Sequence, residues 1–278
     1  MLKIDLHCHS TISDGLFTPT QIIEHAASRH IQVLALTDHD DVAGAEEASI
    51  AAREKNITFI AGVEISVTWQ NKTLHILGLG IDPHSFALVN GLNTIREGRL
   101  GRAQNIARQL DKFGIHGGFE GAQAYASKGK LIGRTHFARF LVEKGYAKDV
   151  RSVFKKYLVK GKPGYVSHQW ASLNDAINWI NGSGGQAVIA HPGRYQLNKR
   201  LLESLLNEFR ELGGLGIEIV SPSHSPEQIQ LFAHYSNRLN LLASCGSDFH
   251  GPGESHFDLG QIPPLPANCT PIWQNWGI

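Results

Sequence analysis

The sequence predicts an α/β fold of parallel βαβ units interrupted by a mostly helical, basic insertion. Three observations predict it. Short runs that alternate apolar and polar residues trade places with helical runs along most of the 278 residues, this rhythm breaks between residues 96 and 164, and histidines gather where the strand-like runs end. The expected division is a body formed by residues 1–95 and 165–278 and an insertion at 96–164.

Leu2, Ile4 and Leu6 alternate with Lys3, Asp5 and His7, which is strand periodicity. His7 and His9 fall on the face opposite the apolar one. "TPTQIIEHAASRH" opens with a Thr and Pro start signal and reads as a helix. "IQVLALTDHDD" is a second strand ending at His39, "DVAGAEEASIAAREKN" a helix, and "ITFIAGVEISVTW" a third strand. The stretch "GVEISVTWQNKTLHILGLGI" reads as a hairpin turning at Gln70 and Asn71. If Trp69 faces Lys72, then His75 faces Ser66, and Glu64 lies on the same face one pleat along.

From about Arg96 the pattern becomes helical, with Leu100, Ala103, Ile106, Ala107, Leu110 and Phe113 at helical spacing. "LIGRTHFARFLVEKGY" and "VRSVFKKYLVKGKPGYV" continue it. The βα rhythm resumes at "LNDAINWINGSGGQAVIAHPG", whose strand ends at His191. It repeats through "LLESLLNEFRELGGLGIEIVSPS" and "QIQLFAHYSNRLNLLASCGSDFHG", the last reaching Asp248 and His250.

With 42% hydrophobic and 18% charged residues the chain can bury a substantial core without covalent staples. Cys8, Cys245 and Cys269 are odd in number and far apart, which excludes a disulfide framework and a Cys-x-x-Cys knuckle. Met1 leads directly into a strand pattern, and no window nears the roughly 18 apolar residues of a membrane span. A soluble, cytoplasmic protein is expected. Net charge is +1, yet Arg96 to Lys162 holds 16 Lys and Arg against 5 Asp and Glu, a local balance of +11, and the remainder stands at −10. An acidic body joined to a basic segment suits a metal-holding site that meets an anionic partner, although basic helices can also be plain solvated faces.

Hard divalent ions require several carboxylate oxygens and imidazole nitrogens on rigid supports. Successive strand ends supply His7, His9, Asp14, His39, Glu64, His75, His191, Asp248 and His250. In parallel α/β folds the carboxyl ends of the strands share one cleft, so residues distant in sequence can meet there. A lone strand-end histidine is usually structural, but six imidazoles and three carboxylates need cations between them. Nine ligands imply two or three ions. Cys8 should point away from them, which argues against a thiolate zinc site.

The motifs "HCHSTISDG", "TDHDD", "GVEIS", the His of "LHILG", "AHPGR" and "GSDFHG" resemble, in order, the metal motifs of the polymerase and histidinol phosphatase (PHP) superfamily. That resemblance implies a distorted (β/α)7 PHP barrel bearing the basic helical insertion as a substrate cap. It also implies three divalent ions: His7, His9, Glu64 and Asp248 on one, Asp14, His39 and His250 on a second, and bridging Glu64 with His75 and His191 on the third. Manganese is favoured by the family, and the ligands also suit iron or zinc. The insertion with "LIGRTHFARFLVEKG" and "VFKKYLVKGKPGYV", followed by "AHPGRY", resembles the branch of 3′,5′-nucleoside bisphosphate phosphatases and RNase AM-type 5′→3′ exoribonucleases. The implied substrates are 3′,5′-bisphosphonucleotides and short or 5′-phosphorylated RNA, including ribosomal RNA precursors; no membrane and no protein partner is expected.

The expected chemistry is in-line attack on phosphorus by a metal-bridging hydroxide held by the ligand cluster. No protein nucleophile is predicted, since Gly-x-Ser-x-Gly and a P-loop are both absent. Arg134 and His136 of "GRTHFAR" are the candidates for gripping a 5′-phosphate, with Arg194 beside the metals; arginine offers phosphate a planar fork. Arg134 could instead be an ordinary salt-bridge arginine. Arg99, Arg102 and Lys160 are weaker candidates for an RNA backbone, and Trp170 could stack on a base, although a tryptophan is more often core. Competing functions are a histidinol-phosphate or other small phosphomonoester phosphatase, an amidohydrolase-type metal enzyme, and a non-catalytic metal-stabilised binding module.

Overall fold

The computed structural model describes residues 2–126 and 131–278; Lys128 and Lys130 of the basic insertion lie outside them. Seven strands form one sheet in chain order: β1 (Ile4–Asp5), β2 (Val33–Leu36), β3 (Thr58–Trp69), β4 (Lys72–Leu79), β5 (Gln186–Ile189), β6 (Gly216–Val220) and β7 (Leu242–Cys245). β1, β2 and β3 pair in parallel, as do β5, β6 and β7, while β4 runs antiparallel to both of its neighbours. The first and last strands meet as well. Leu6 N–H donates to Cys245 C=O at 3.0 Å and His9 N–H to Phe249 C=O at 2.8 Å, so the sheet curls into a nearly closed barrel.

The helices of the body are α1 (Pro19–Ser28), α2 (Ala45–Glu54), the start of α3 (Phe86–Asp111), α7 (Leu173–Gly182), α8 (Lys199–Glu211) and α9 (Pro226–Leu239). Sequence explains their starts. Thr18 caps α1 through the Gln21 N–H, with Pro19 in the first turn, and Ser225 caps α9 in the same way with Pro226 behind it. Apart from the start of β3 and the hairpin end of β4, the strands are largely buried on both faces, as the helices on the outside require. In β2, Leu34 and Leu36 pack outward against α1 and α2, whereas Val33 and Ala35 join Leu77, Leu79 and Val188 inside the barrel.

Register then decides what the barrel mouth contains. The hairpin has the expected pairing, Trp69 with Lys72 and Ser66 with His75, so Glu64, Ser66 and His75 share the inner face with Leu77. Glu218 of β6, opposite Ser244 of β7, lies on that face too. The interior therefore changes from hydrocarbon at one end to polar groups at the carboxyl ends of the parallel strands.

The insertion contributes the rest of α3 with α4 (Gly118–Tyr125), α5 (Arg134–Glu143), α6 (Val150–Val153) and a π turn at Phe154–Leu158. It has a core of its own, in which Ala103, Ile106 and Leu110 of α3 meet Phe137 and Leu141 of α5.

Several expectations need correction. The regular part of β1 is two residues long, Leu2 is exposed, and Asp5 is a buried acceptor for the N–H groups of Ser247 and Gly260. β2 ends at Leu36; beyond it, His39 joins Glu64 only through an isolated parallel bridge. α3 begins at Phe86 and crosses residue 96 without a break, with Leu88, Leu92 and Ile95 in the barrel core. Leu100 and Phe113, at the ends of the expected apolar stripe, are exposed; the buried run is Ala103, Ile106, Ala107 and Leu110.

Candidate metal centre and cleft

All nine sequence-predicted ligands converge at the polar end of the barrel. Glu64 is their hub. Fully buried, its carboxylate lies 2.8 Å from His39 Nδ1, 2.8 Å from His75 Nδ1, 2.9 Å from His191 Nε2, 3.4 Å from His9 Nε2 and 3.5 Å from His7 Nε2. Asp248 Oδ1 stands 3.5 Å from His7 Nε2 and 3.3 Å from His9 Nε2. Asp14 Oδ1 faces His250 Nε2 at 3.3 Å and His39 Nε2 at 3.9 Å.

These residues fit divalent cations on two grounds. Ligand atoms about 2.1 Å from a shared ion stand roughly 3.0–3.4 Å apart at octahedral or tetrahedral angles, and the His9–Glu64, His9–Asp248 and His250–Asp14 pairs, at 3.4, 3.3 and 3.3 Å, have that spacing. Several also have lone pairs that nothing else claims: His7 Nε2, His9 Nε2, Asp14 Oδ1 and Glu64 Oε2 are buried without a hydrogen-bond partner. Four overlapping groups of donor atoms result, His9–Asp14–His39–His250, His7–His9–Asp248, His7–Glu64–His191 and His39–Glu64–His75.

Backbone geometry serves the same placement. His191 and Asp248 both have left-handed φ, +27° and +48°, a conformation that costs about 1–3 kcal/mol outside glycine and that the surroundings must impose. At Gly246 a Cβ would lie 2.2 Å from the His7 Cβ, so only glycine lets the end of β7 pass this closely behind a ligand. Cys8 points the other way, as expected, with its thiol donating to the Ala35 carbonyl at 3.2 Å.

Charge is distributed unevenly. Burial works to raise the Asp14 carboxyl, but His250 and His39 outweigh it and hold it well below the usual range. Burial likewise opposes protonation of His250, yet Asp14 pushes it up to about 9. Burial, together with His250 and His39, pulls His9 down to about 3, so that ring presents a free nitrogen lone pair.

Above the ligands lies a cleft of about 1560 Å³ between barrel and insertion, with Asp14, His39, His75, Asp248 and His250 in its floor. Arg134, Arg102 and Arg194 are in its walls. Arg194, half exposed, donates to Asp248 Oδ2 at 2.8 Å and so stands beside the ligands. Arg134, at the first position of α5, lies over the Phe154 ring at 5.4 Å and makes no ion pair among the described residues. His136 does not line the cleft: it is 1% exposed, its Nδ1 accepts the Gly133 N–H at 3.0 Å, and burial pulls it down to about 4. It is an uncharged cap for α5 rather than a cation facing substrate.

Arg99, unlike His136, reaches the cleft wall, but its guanidinium is already engaged. Its Nε–H donates to Asp40 at 2.7 Å and another N–H to Ser66 at 2.8 Å, and its guanidinium lies 4.7 Å from the centre of the Trp170 ring. Glu218 escaped the sequence reading. Its signal, a lone carboxylate between β-branched apolar residues in "GIEIV", is the one that marks Glu64 in "GVEIS".

Comparison with known proteins agrees with this architecture. The PHP domain family matches residues 5–221. A 3′,5′-nucleoside bisphosphate phosphatase of Chromobacterium violaceum is 54% identical over 274 residues, covering 99% of this chain and 96% of that one. The 5′-3′ exoribonuclease Rnm of Escherichia coli is 43% identical, covering 98% and 93%. Among solved structures, one described as an amidohydrolase from Chromobacterium violaceum, with bound sulfate and no metal, superposes with a TM-score of 0.95 at 54% identity, over 98% of this chain and 94% of that one. A candidate metal-dependent phosphoesterase from Bifidobacterium adolescentis gives a TM-score of 0.84 at 28% identity, over 98% and 93%. With that match across most of the barrel and relatives that align from end to end, the chain belongs to the PHP domain family.

Proposed function

We propose that this protein is a metal-dependent phosphoesterase that removes the 3′-phosphate of 3′,5′-bisphosphonucleotides and acts as a 5′→3′ exoribonuclease on 5′-phosphorylated RNA, ribosomal RNA precursors included. One observation carries this reading: the Glu64-centred ligand cluster opens into a cleft whose insertion wall carries Arg134, which makes no ion pair among the described residues. Metal floor and arginine wall suit a substrate with two phosphates, one to be cut and one to be gripped. The Chromobacterium relative is named for nucleoside 3′,5′-bisphosphates and the Escherichia relative for 5′-3′ digestion of RNA.

His7, His9, Glu64 and Asp248 would hold one ion, Asp14, His39 and His250 a second, and Glu64, His75 and His191 a third, with manganese favoured over iron or zinc. Bound divalent ions supply charge neutralisation at the phosphoryl oxygens and acidify water. The chain's own residues do the rest. Glu218 holds the proton of His7 on Nδ1, which leaves Nε2 free as a ligand atom. Thr135 donates to Asp14 Oδ2 at 2.8 Å, so that Oδ1 is the oxygen turned toward His250. Arg194 offers its fork at the edge of the ligand floor, and Arg134 takes the 5′-phosphate.

In this reading residues 96–164 form a substrate cap over a metal-binding barrel made of 1–95 and 165–278. Cys8, Cys245 and Cys269 are unpaired, which suits a reducing cytoplasm. Among the described residues no helix is long and apolar enough to cross a membrane.

The deciding assay measures phosphate and nucleotide release, with manganese supplied, from adenosine 3′,5′-bisphosphate and from matched short RNAs bearing a 5′-phosphate or a 5′-hydroxyl. Cleavage that requires the 5′-phosphate and shortens the RNA stepwise is expected. Indifference to that phosphate would refute the two-phosphate reading and turn attention to histidinol phosphate.

A further inference from the structure

By sequence, Arg139 is one more cation in the basic insertion. In the structure it does not face the cleft. It is 7% exposed, and its Nε–H donates to Glu254 Oε1 at 2.8 Å. A terminal nitrogen donates both to Glu254 Oε2 at 2.7 Å and to the backbone carbonyl of Asp14 at 2.6 Å. One helical turn earlier on α5, Thr135 donates to the side chain of the same Asp14. The insertion thus grips Asp14 twice, at its carbonyl and at its carboxylate.

Glu254 extends this hold to a second ligand. It belongs to the loop after His250, where the Ser255 hydroxyl oxygen accepts the N–H groups of His250 at 2.6 Å and Gly251 at 3.2 Å. Asp14 sits in a turn after β1, and His250 lies past the end of β7. Neither has ladder hydrogen bonds within a named strand to fix it, yet their facing atoms must stay within a few ångströms to share an ion.

We propose that Arg139 is a positioning residue for the ion shared by Asp14 and His250, so that the insertion is a structural part of the metal centre as well as its cover. The proposal rests on the metal reading above. A guanidinium suits the task because its fork takes both oxygens of Glu254 and still has a hydrogen for the Asp14 carbonyl; a lysine offers three hydrogens from one point and cannot span that arrangement.

The test is calorimetric titration of metal-stripped protein with Mn2+, without substrate, on the wild type, Arg139→Gln, Arg139→Lys, Glu254→Gln and Asp14→Asn. Asp14→Asn identifies the binding step that depends on Asp14. In Arg139→Gln that step is expected to weaken by about 10–100-fold with the other steps unchanged, as for other residues that hold a ligand from behind. Glu254→Gln should fall between this variant and the wild type, because the bond to the Asp14 carbonyl survives, and Arg139→Lys should recover part of the loss. Wild-type affinity at every step in Arg139→Gln, or an equal weakening of all steps, overturns the proposal. If Arg139→Gln fails to fold, Glu254→Gln decides alone by the same criterion. Wild-type protein that takes up no Mn2+ would refute the metal reading itself, a result distinct from ordered binding that ignores Arg139.

Discussion

Glu218 holds two ligand candidates at once: its Oε1 lies 3.0 Å from His7 Nδ1, and its Oε2 accepts the His191 backbone N–H at 2.7 Å. A single fully buried carboxylate thus sets the tautomer of one imidazole and anchors the strained backbone of another. Glu218→Gln keeps the shape but gives up the charge and one acceptor. Metal affinity should fall by about 10–100-fold, read by titration of stripped protein. Unchanged affinity would show that His7 and His191 hold their places without it.

Metal uptake should depend on pH through His250, and through His7 and His39, whose carboxylate neighbours also outweigh burial and raise them. In the metal-free protein Asp14 overcomes burial and raises the His250 imidazole to about 9, against about 6.5 in an unfolded chain. The stability it lends is therefore complete below about pH 6.5 and disappears as pH rises through about 9. A cation binding His250 must displace that proton, so Mn2+ affinity should increase with pH over the same interval, by up to about tenfold per unit for one proton. The melting temperature of stripped protein should fall there while affinity rises; a flat affinity profile would count against a protonated His250.

Asp14→Ala and Asp248→Asn should each reduce turnover by more than about 100-fold, beyond the usual loss for a supporting residue, and leave the circular dichroism spectrum intact. Asparagine is the instructive choice at Asp248, where φ is +48°, because it tolerates left-handed backbone and removes only the charge. A near-normal rate in either variant would remove that residue from the centre.

Arg134→Ala should raise KM by about 10–100-fold for a 5′-phosphorylated substrate, corresponding to about 1.5–3 kcal/mol for a hydrogen bond to a charged group. The 5′-hydroxyl counterpart should change little. Equal losses on both substrates would dismiss the grip.

Most ligand candidates were legible in the sequence because they sit at or just past the ends of short apolar runs, and because the Gln70–Asn71 turn fixes the register that turns Glu64 and His75 inward. Partnerships between distant cations and carboxylates were not legible. Arg99 reads as a weak candidate for an RNA backbone and Arg139 as one more cation of a basic helix, while their partners Asp40 and Glu254 are 59 and 115 residues away. The start of the insertion was blurred for a related reason: helical periodicity runs through α3 from Phe86 to Asp111, and only tertiary packing reveals that Ile95 and Ala103 belong to different cores. His136 illustrates a further limit, since neighbours in sequence do not say whether an imidazole faces solvent or closes a helix end.

The unbroken α3 has a mechanical meaning. Its 26 residues make a rod about 39 Å long, rooted in one core and ending in the other. No hinge can open at residue 96 without melting a turn of helix. Barrel and insertion are thus joined by a stiff bar, with imidazole and carboxylate on one side of the cleft and Arg134 on the other. Under the function proposed above, such a frame would measure rather than embrace: it would select anions by the distance between their charged ends.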